Sequence, residues 1–138
     1  SDYIGRLHQS IPVELQSRVK FLGEITQNEI VEWYHSASVF AFPSVWDEPF
    51  GIPVIEAMAS GVPVVATRSG AVPEIIEHGK TGLLVEQGSS DQLAESLSRV
   101  LGDVSLSTSL GSSGAAAVQE RFSWNKIAAR LQGIYEQA

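Results

Sequence analysis

"WDEPFGIPVIEAMASG" (residues 46–61) decides how this chain is read. Two acids, Glu48 and Glu56, stand with seven residues between them around a Pro-Phe-Gly turn, the second inside an apolar run of helical character. Pro53 suits a first helical position, where its missing N–H costs nothing, and Gly61 suits the stop. A helix therefore starts near Gly51 and Ile52. Its unpaired N–H groups and the positive end of its dipole point back toward the strand ends and form an anion site. Gly51 lacks a side chain, so a ligand can approach the backbone closely. Glu48 lies in the loop, within reach of a polyol over the turn. Glu56 lies about one turn inside, beside Ile55, Ala57, Met58 and Ala59, where a carboxylate is costly to bury unless it accepts strong hydrogen bonds. A ribose diol is one source of such donors. Pattern alone leaves the plainer alternative open, because charged residues are mostly exposed and either acid by itself reads first as a surface charge.

Working outward, short β-branched runs alternate with helical periods. Residues 19–23, "VKFLG", read as a strand, and 26–37, "TQNEIVEWYHSA", as a helix. Thr26 and Glu29 make a capping box there, and Ile30, Trp33, Tyr34 and Ala37 share a face. Residues 38–44 form a second strand, apolar on both faces as in a helix-covered parallel sheet. A third strand is predicted over 62–69, a short helix over 71–79 with Gly79 just past its end, and a fourth strand over 82–88. Residues 89–102 are a helix capped by Ser89 with Gln92 at N3, and Leu93, Leu97, Val100 and Leu101 on one face. Two helices, about 105–121 and 124–137, close the chain. Within the first, "SLSTSLGSSGAAA" is weakly patterned and is expected to pack loosely. Strand and helix alternating without hairpin signals predict an α/β fold, a Rossmann-like doubly wound parallel sheet of about four strands, with ligands at the carboxyl ends of the strands.

Composition narrows the function classes. With 138 residues the chain is one domain or part of one, and 43% hydrophobic residues suffice for an ordinary core. Nine Lys and Arg against sixteen Asp and Glu give a net charge of −7, which argues against nucleic acid as a partner. No run of about 18 apolar residues exists to span a membrane, and "SDYIGRLHQS" has no signal-peptide core. The lack of cysteine removes thiol chemistry and favours a cytoplasmic location. His8, His35 and His78 lack metal-ligand spacing, and the adjacent acids Asp47 and Glu48 have no further ligands, so no metal is expected. "GKT" (residues 79–81) mimics the tail of a phosphate-binding loop, but Glu74 stands where a glycine is required and a strand follows, so that reading fails. "SGAVPE" (residues 69–74) is either a second phosphate-facing turn or simply a turn. A receiver-like signalling domain would need an acid cluster and a phosphoacceptor that Asp2 and Asp47 do not supply.

"VKFLG", "ASVFAFPS", "EPFGIPVIEAMASGVPVVAT", "SGAVPEIIEHGKTGLLV" and "RFSW", in that order, resemble the C-terminal donor-binding domain of GT-B retaining glycosyltransferases, family 4, the glycosyl transferases group 1 family. The likeness runs from about Val13 to the last helix. It implies that Glu56 holds the nucleotide ribose, that Glu48 contacts hydroxyls of the donor sugar, and that the backbone at Phe50, Gly51 and Ile52 meets the sugar and diphosphate. It further implies a base pocket around Glu24 and Ile25, bordered by Ser44. The reaction implied is transfer of a sugar from a nucleotide-diphosphate donor to an acceptor hydroxyl with retention and without a metal or other cofactor. Many relatives work at the inner membrane face, although this acidic chain offers no basic amphipathic face. The alternative function is a noncatalytic nucleotide-sugar-binding module.

The resemblance also implies what is absent. The Arg and Lys that neutralise the diphosphate come from an upstream strand region, and "IGRLHQ" (residues 4–9) sits in a helical context instead. In the family's sheet, order 3-2-1-4-5-6, two strands lie between those of residues 19–23 and 38–44. Residues 1–138 thus read as a truncated GT-B C-terminal domain, its acceptor-binding N-terminal domain missing and no catalytic residue of its own assigned. The open sheet edges are expected to be repaired by homodimerisation, by strand exchange, or by direct pairing of 19–23 with 38–44. The last helix is expected to expose Trp124 or the Ile127/Leu131 stripe.

Overall fold

Three short apolar runs condense into a parallel sheet in the computed structural model, which describes residues 2–137. β1 (Phe40–Phe42), β2 (Val64–Thr67) and β3 (Leu83–Val85) lie in the order β1-β2-β3. Ala41 stands opposite Val65, and Ala66 opposite Leu84. All four residues of β2 are buried, which suits a β-branched run with helices on both sides. The helices are α1 (Asp2–Ser10), α2 (Gln27–Ser36), α3 (Ile52–Ala59), α4 (Val72–Ile75), α5 (Ser90–Gly102), α6 (Val104–Phe122) and α7 (Trp124–Glu136), with a 3₁₀ turn at Val13–Arg18.

Successive strand residues feed opposite layers. Val64, Ala66 and Leu84, flanked by Phe40 and Phe42, pack with Tyr34 of α2, Val54, Ala57 and Met58 of α3, Val72 and Ile75 of α4, and Val118 of α6. Val65, Leu83 and Val85 pack with Val100 of α5 and Leu110 of α6, beside Leu93, Leu97 and Leu106. The sheet is therefore wound on both faces. Burying a valine or leucine fully stabilises by roughly 1.5–3 kcal/mol, so both layers contribute substantially.

Local signals set the helix starts. The Thr26–Glu29 capping box is present in both directions, with the Thr26 N–H donating to Glu29 Oε2 at 2.8 Å. Hydrogen bonds from the Thr26 side chain and backbone lower the Glu29 pKa below the ordinary carboxylate value. Ser89 caps α5 as expected. Asp103 ends α5 and begins α6, accepting the Leu106 N–H on Oδ1 at 2.9 Å.

Four expectations need correction. The sheet has three strands rather than four: residues 19–23 form none. Val19 is extended, at φ −109°, ψ 127°, but no ladder partner lies beside the segment, and Phe21 and Leu22 remain exposed. The direct pairing of 19–23 with β1 is thus not realised, and β1 and β3 are both edge strands. The helix after β2 stops at Ile75, because Ile76 turns extended and buries its side chain; Gly79 instead enters a turn in which its N–H meets the Gly82 carbonyl at 2.8 Å. The weakly patterned stretch of α6 packs tightly: a Cβ on Gly111 would collide with the Gly61 carbonyl oxygen, and one on Gly114 would lie 3.0 Å from that of Thr81. Small residues there let α6 approach α3. Finally, Tyr34 alone of its expected face is buried, whereas Trp33 stays exposed under the Lys20 ammonium, 5.5 Å from its ring centroid.

The chain's ends carry little of this core. The 3₁₀ turn and α7 bury no residue, and Trp124 is 83% exposed, so the expected exposure of the last helix is found.

Candidate functional site at the start of α3

Gly51 is the N-cap of α3 and adopts φ 85°, ψ 45°, the left-handed region that glycine enters without steric cost. A Cβ there would make only ordinary contacts with Ile75 and Val72, so backbone conformation rather than space demands the glycine. The Gly51 carbonyl accepts the N–H groups of Val54 at 3.0 Å and Ile55 at 3.3 Å. No side chain caps this end and its first turn holds no acid. Among the described residues, the Gly51 and Ile52 N–H groups meet no protein acceptor. Two donors and the positive helix end are thus presented where the sequence puts them.

The loop leading to this helix is fastened from below by β2 and the turn after it. The Thr67 hydroxyl donates to the Ser44 carbonyl at 2.7 Å, with the Phe42 carbonyl 3.3 Å away. Gly70, at φ 48°, lies so close to the Glu48 backbone that a Cβ would collide with it. The Ala71 N–H donates to the Glu48 carbonyl at 2.9 Å. The "SGAVPE" turn therefore backs the first acid and uses its own N–H to do so. Glu48 is half-buried, and no side chain holds its carboxylate among the described residues.

Glu56 is half-buried one turn into α3, and both its oxygens are engaged. Gln27 Nε2 donates to Oε1 at 2.8 Å, and the Tyr34 hydroxyl donates to Oε2 at 3.4 Å. Burial first, then the Glu56 charge and hydrogen bond, push the Tyr34 pKa up to about 12. A carboxylate inside an apolar helix is thus compensated by two donors from α2, which packs in the same layer.

The remaining expected positions are distributed less tightly. The side chains of Phe50 and Ile52 are exposed, leaving their backbone at the helix start. Phe50 meets Phe122 edge-on, with ring centroids 6.1 Å apart. Ile25 is half-buried and Glu24 exposed, just before the Gln27 that touches Glu56. Ser44 lies two residues past the end of β1 and donates its hydroxyl to the Trp46 carbonyl at 3.0 Å, and it makes no hydrogen bond to either acid.

Sequence reasoning missed Gln27, Tyr34, Thr67, Gly70 and Arg121. Tyr34 had a usable signal, since a buried tyrosine hydroxyl needs a partner. Arg121 donates to the carbonyls of Glu74 and Ile75 at the end of α4, and stacks on Phe122 with 4.9 Å to the ring centroid. It thereby joins α6 to the elements behind the site. No group of three potential metal ligands occurs among the described residues, and no described helix is long and apolar enough to cross a membrane.

Comparison with known proteins agrees with this geometry. The family profile "Glycosyl transferases group 1" matches residues 8–116. The chain is 38% identical over 134 residues to the D-inositol 3-phosphate glycosyltransferase of Streptomyces bingchenggensis, covering 96% of this chain but 29% of that protein. Among solved structures it resembles Anabaena HepE in complex with UDP, at a TM-score of 0.92 and 33% identity, over 99% of this chain and 37% of that one. It also resembles the C-terminal domain of a Francisella tularensis glycosyl transferase group 1 family protein, at a TM-score of 0.78 and 35% identity, over 89% of this chain and 64% of that one. The helix-flanked parallel sheet is the Rossmann-like α/β arrangement of GT-B glycosyltransferases. With a matching profile over most of its length and a parallel sheet of the same build, the chain belongs to the glycosyl transferases group 1 family.

Proposed function

We propose that residues 1–138 are the donor-binding part, a truncated C-terminal domain, of a retaining GT-B glycosyltransferase of family 4, and that they bind a nucleotide-diphosphate sugar. One observation carries the reading: in a chain of this family, the unpaired N–H groups of Gly51 and Ile52 stand between two acids that flank them along the sequence. The full-length protein would move the sugar from its diphosphate to an acceptor hydroxyl. The bond from the anomeric carbon to the diphosphate oxygen breaks, a bond to the acceptor oxygen forms on the same face, and the acceptor proton leaves. HepE is known in complexes with UDP and with UDP-glucose, which supports a nucleotide sugar as the donor here.

The roles follow from chemistry. Glu48, its carboxylate free of side-chain partners, accepts from sugar hydroxyls. The backbone at Phe50, Gly51 and Ile52 donates to the sugar and diphosphate, and such fixed donors are most effective where negative charge develops on the leaving group. Glu56 accepts from the ribose. Glu24, Ile25 and Ser44 border the base. No metal or other cofactor is required in this scheme. The cationic partners of the diphosphate and the acceptor site lie in segments that this chain does not include. Alone, it binds donor without transferring sugar.

Calorimetric titration with UDP, GDP and ADP tests this. At least one nucleotide should bind, and Glu56→Gln should weaken it by about tenfold, the worth of a hydrogen bond to a charged group. Binding that is indifferent to Glu56→Gln overturns the ribose assignment. Sugar transfer by the isolated chain overturns its inactivity.

A further inference from the structure

We propose that Tyr34 and Gln27 divide the two oxygens of Glu56 between a permanent donor and a displaceable one. Tyr34 orients the carboxylate toward a ribose, and Gln27 keeps the place of the incoming ribose hydroxyl until a nucleotide arrives. The inference rests on the reading of Glu56 as the ribose ligand.

The two donors differ in how firmly they are held. Tyr34 is 3% exposed and packs edge-on against Phe40, with ring centroids 5.3 Å apart and planes at 86°. It lies within the core cluster of α3 and β2, so its hydroxyl cannot leave Glu56 Oε2 without disturbing that packing. Gln27 is exposed, and its amide reaches Oε1 from the first turn of α2. The capping box at Thr26 and Glu29 pins the backbone on either side of Gln27. Its side chain is free to rotate into solvent without unwinding the helix.

Exchange of donors at Oε1 conserves hydrogen bonds. In the free protein the half-buried carboxylate is never left short of a donor, which would cost more than one ordinary bond gains. On binding, a hydroxyl replaces an amide N–H, and the released amide finds water. The nucleotide therefore competes with Gln27 at one oxygen while profiting from Tyr34 at the other. Removing the two side chains should have opposite effects, whereas two merely structural residues would weaken binding together.

The test compares UDP, GDP and ADP with their 2′,3′-dideoxy counterparts by calorimetry, on the wild-type chain, Gln27→Ala, Tyr34→Phe and Glu56→Gln, each checked for an unchanged thermal transition. Gln27→Ala should tighten ribonucleotide binding by about 3- to 10-fold, and Tyr34→Phe should weaken it by about the same factor, with dideoxynucleotides unaffected by either. A variant whose transition moves is judged on its ratio of ribo to dideoxy affinity, which a general loss of folded protein leaves unchanged. If both substitutions shift that ratio the same way, or neither shifts it while Glu56→Gln abolishes it, the division of roles is wrong and the ribose assignment stands. If Glu56→Gln leaves the ratio intact, or the folded wild-type chain binds no ribonucleotide, the ribose assignment falls and this inference with it.

Discussion

The backbone of Glu48 rests directly on Gly70, and the next N–H along, from Ala71, donates to the Glu48 carbonyl at 2.9 Å. The first acid of the site is thus positioned by the turn after β2, twenty-odd residues further on, rather than by its own neighbours.

That contact makes Gly70 intolerant of any side chain. Gly70→Ala combines a left-handed backbone, at φ 48°, with a collision against main-chain atoms that cannot rotate away. The expected loss is more than about 2 kcal/mol in urea denaturation. Gly61→Ala serves as the control, because Gly61 shares a positive φ of 76° but faces open space. It should lose only about 1 kcal/mol. Equal losses would show that the Glu48 contact contributes nothing.

Tyr34 gives the fold an alkaline limit. Its pKa rises to about 12 through burial first and Glu56 second. The folded state holds this proton more tightly than the unfolded state, whose tyrosine titrates near ~10. The resulting stability is complete below the unfolded value and disappears as pH climbs through the folded one. Absorbance at the phenolate band should show a late-titrating tyrosine that Tyr34→Phe removes. Glu56→Gln should move it part of the way down, since burial remains. A late step unmoved by Glu56→Gln would mean the two side chains do not touch in solution.

Arg121 holds the last turn of α4 through the carbonyls of Glu74 and Ile75. Arg121→Ala should lower stability by about 1–2 kcal/mol by thermal denaturation, and Arg121→Lys should restore little, because one ammonium cannot reproduce the planar two-pronged contact. Full rescue by lysine would reduce the role to charge alone.

β1 leaves an unpaired edge, and we expect the isolated chain to self-associate along it. Sedimentation should show a concentration-dependent dimer. Ala41→Lys, at an exposed position of β1, should shift the chain to monomer without loss of secondary structure. A wild-type chain that stays monomeric throughout would defeat this expectation.

Much of this architecture is readable in the sequence wherever a local cause governs it. The Thr26–Glu29 box, the Ser89 cap, Pro53 and the start of α3 depend on residues within one turn of each other, and all were legible. The strands within residues 62–69 and 82–88 were legible because burial on both faces leaves apolar runs, whereas the run over 38–44 yields an edge strand whose Ala41 is exposed. What failed depends on distant partners. Residues 19–23 have strand chemistry, but a strand exists only beside another strand. The glycines of α6 look like weak patterning until the carbonyls of Gly61 and Thr81 are placed against them. In the site, the two acids and the helix start were visible, whereas the contacts of Gln27 and Tyr34 with Glu56 were not, because no spacing rule links α2 to α3.

Both ladder registers in the sheet are anchored on β2, all four of whose residues are out of contact with water, while α7 and the 3₁₀ turn near the start bury nothing. Amide protons of residues 64–67 should accordingly be the last to exchange with deuterated solvent, and those of the outer helices the first. The hydroxyl that anchors the acid-bearing loop belongs to Thr67, the final residue of this slowest segment. Opening of the loop is then tied to opening of the most protected part of the molecule, so a ligand arriving at the start of α3 meets a surface that is already set.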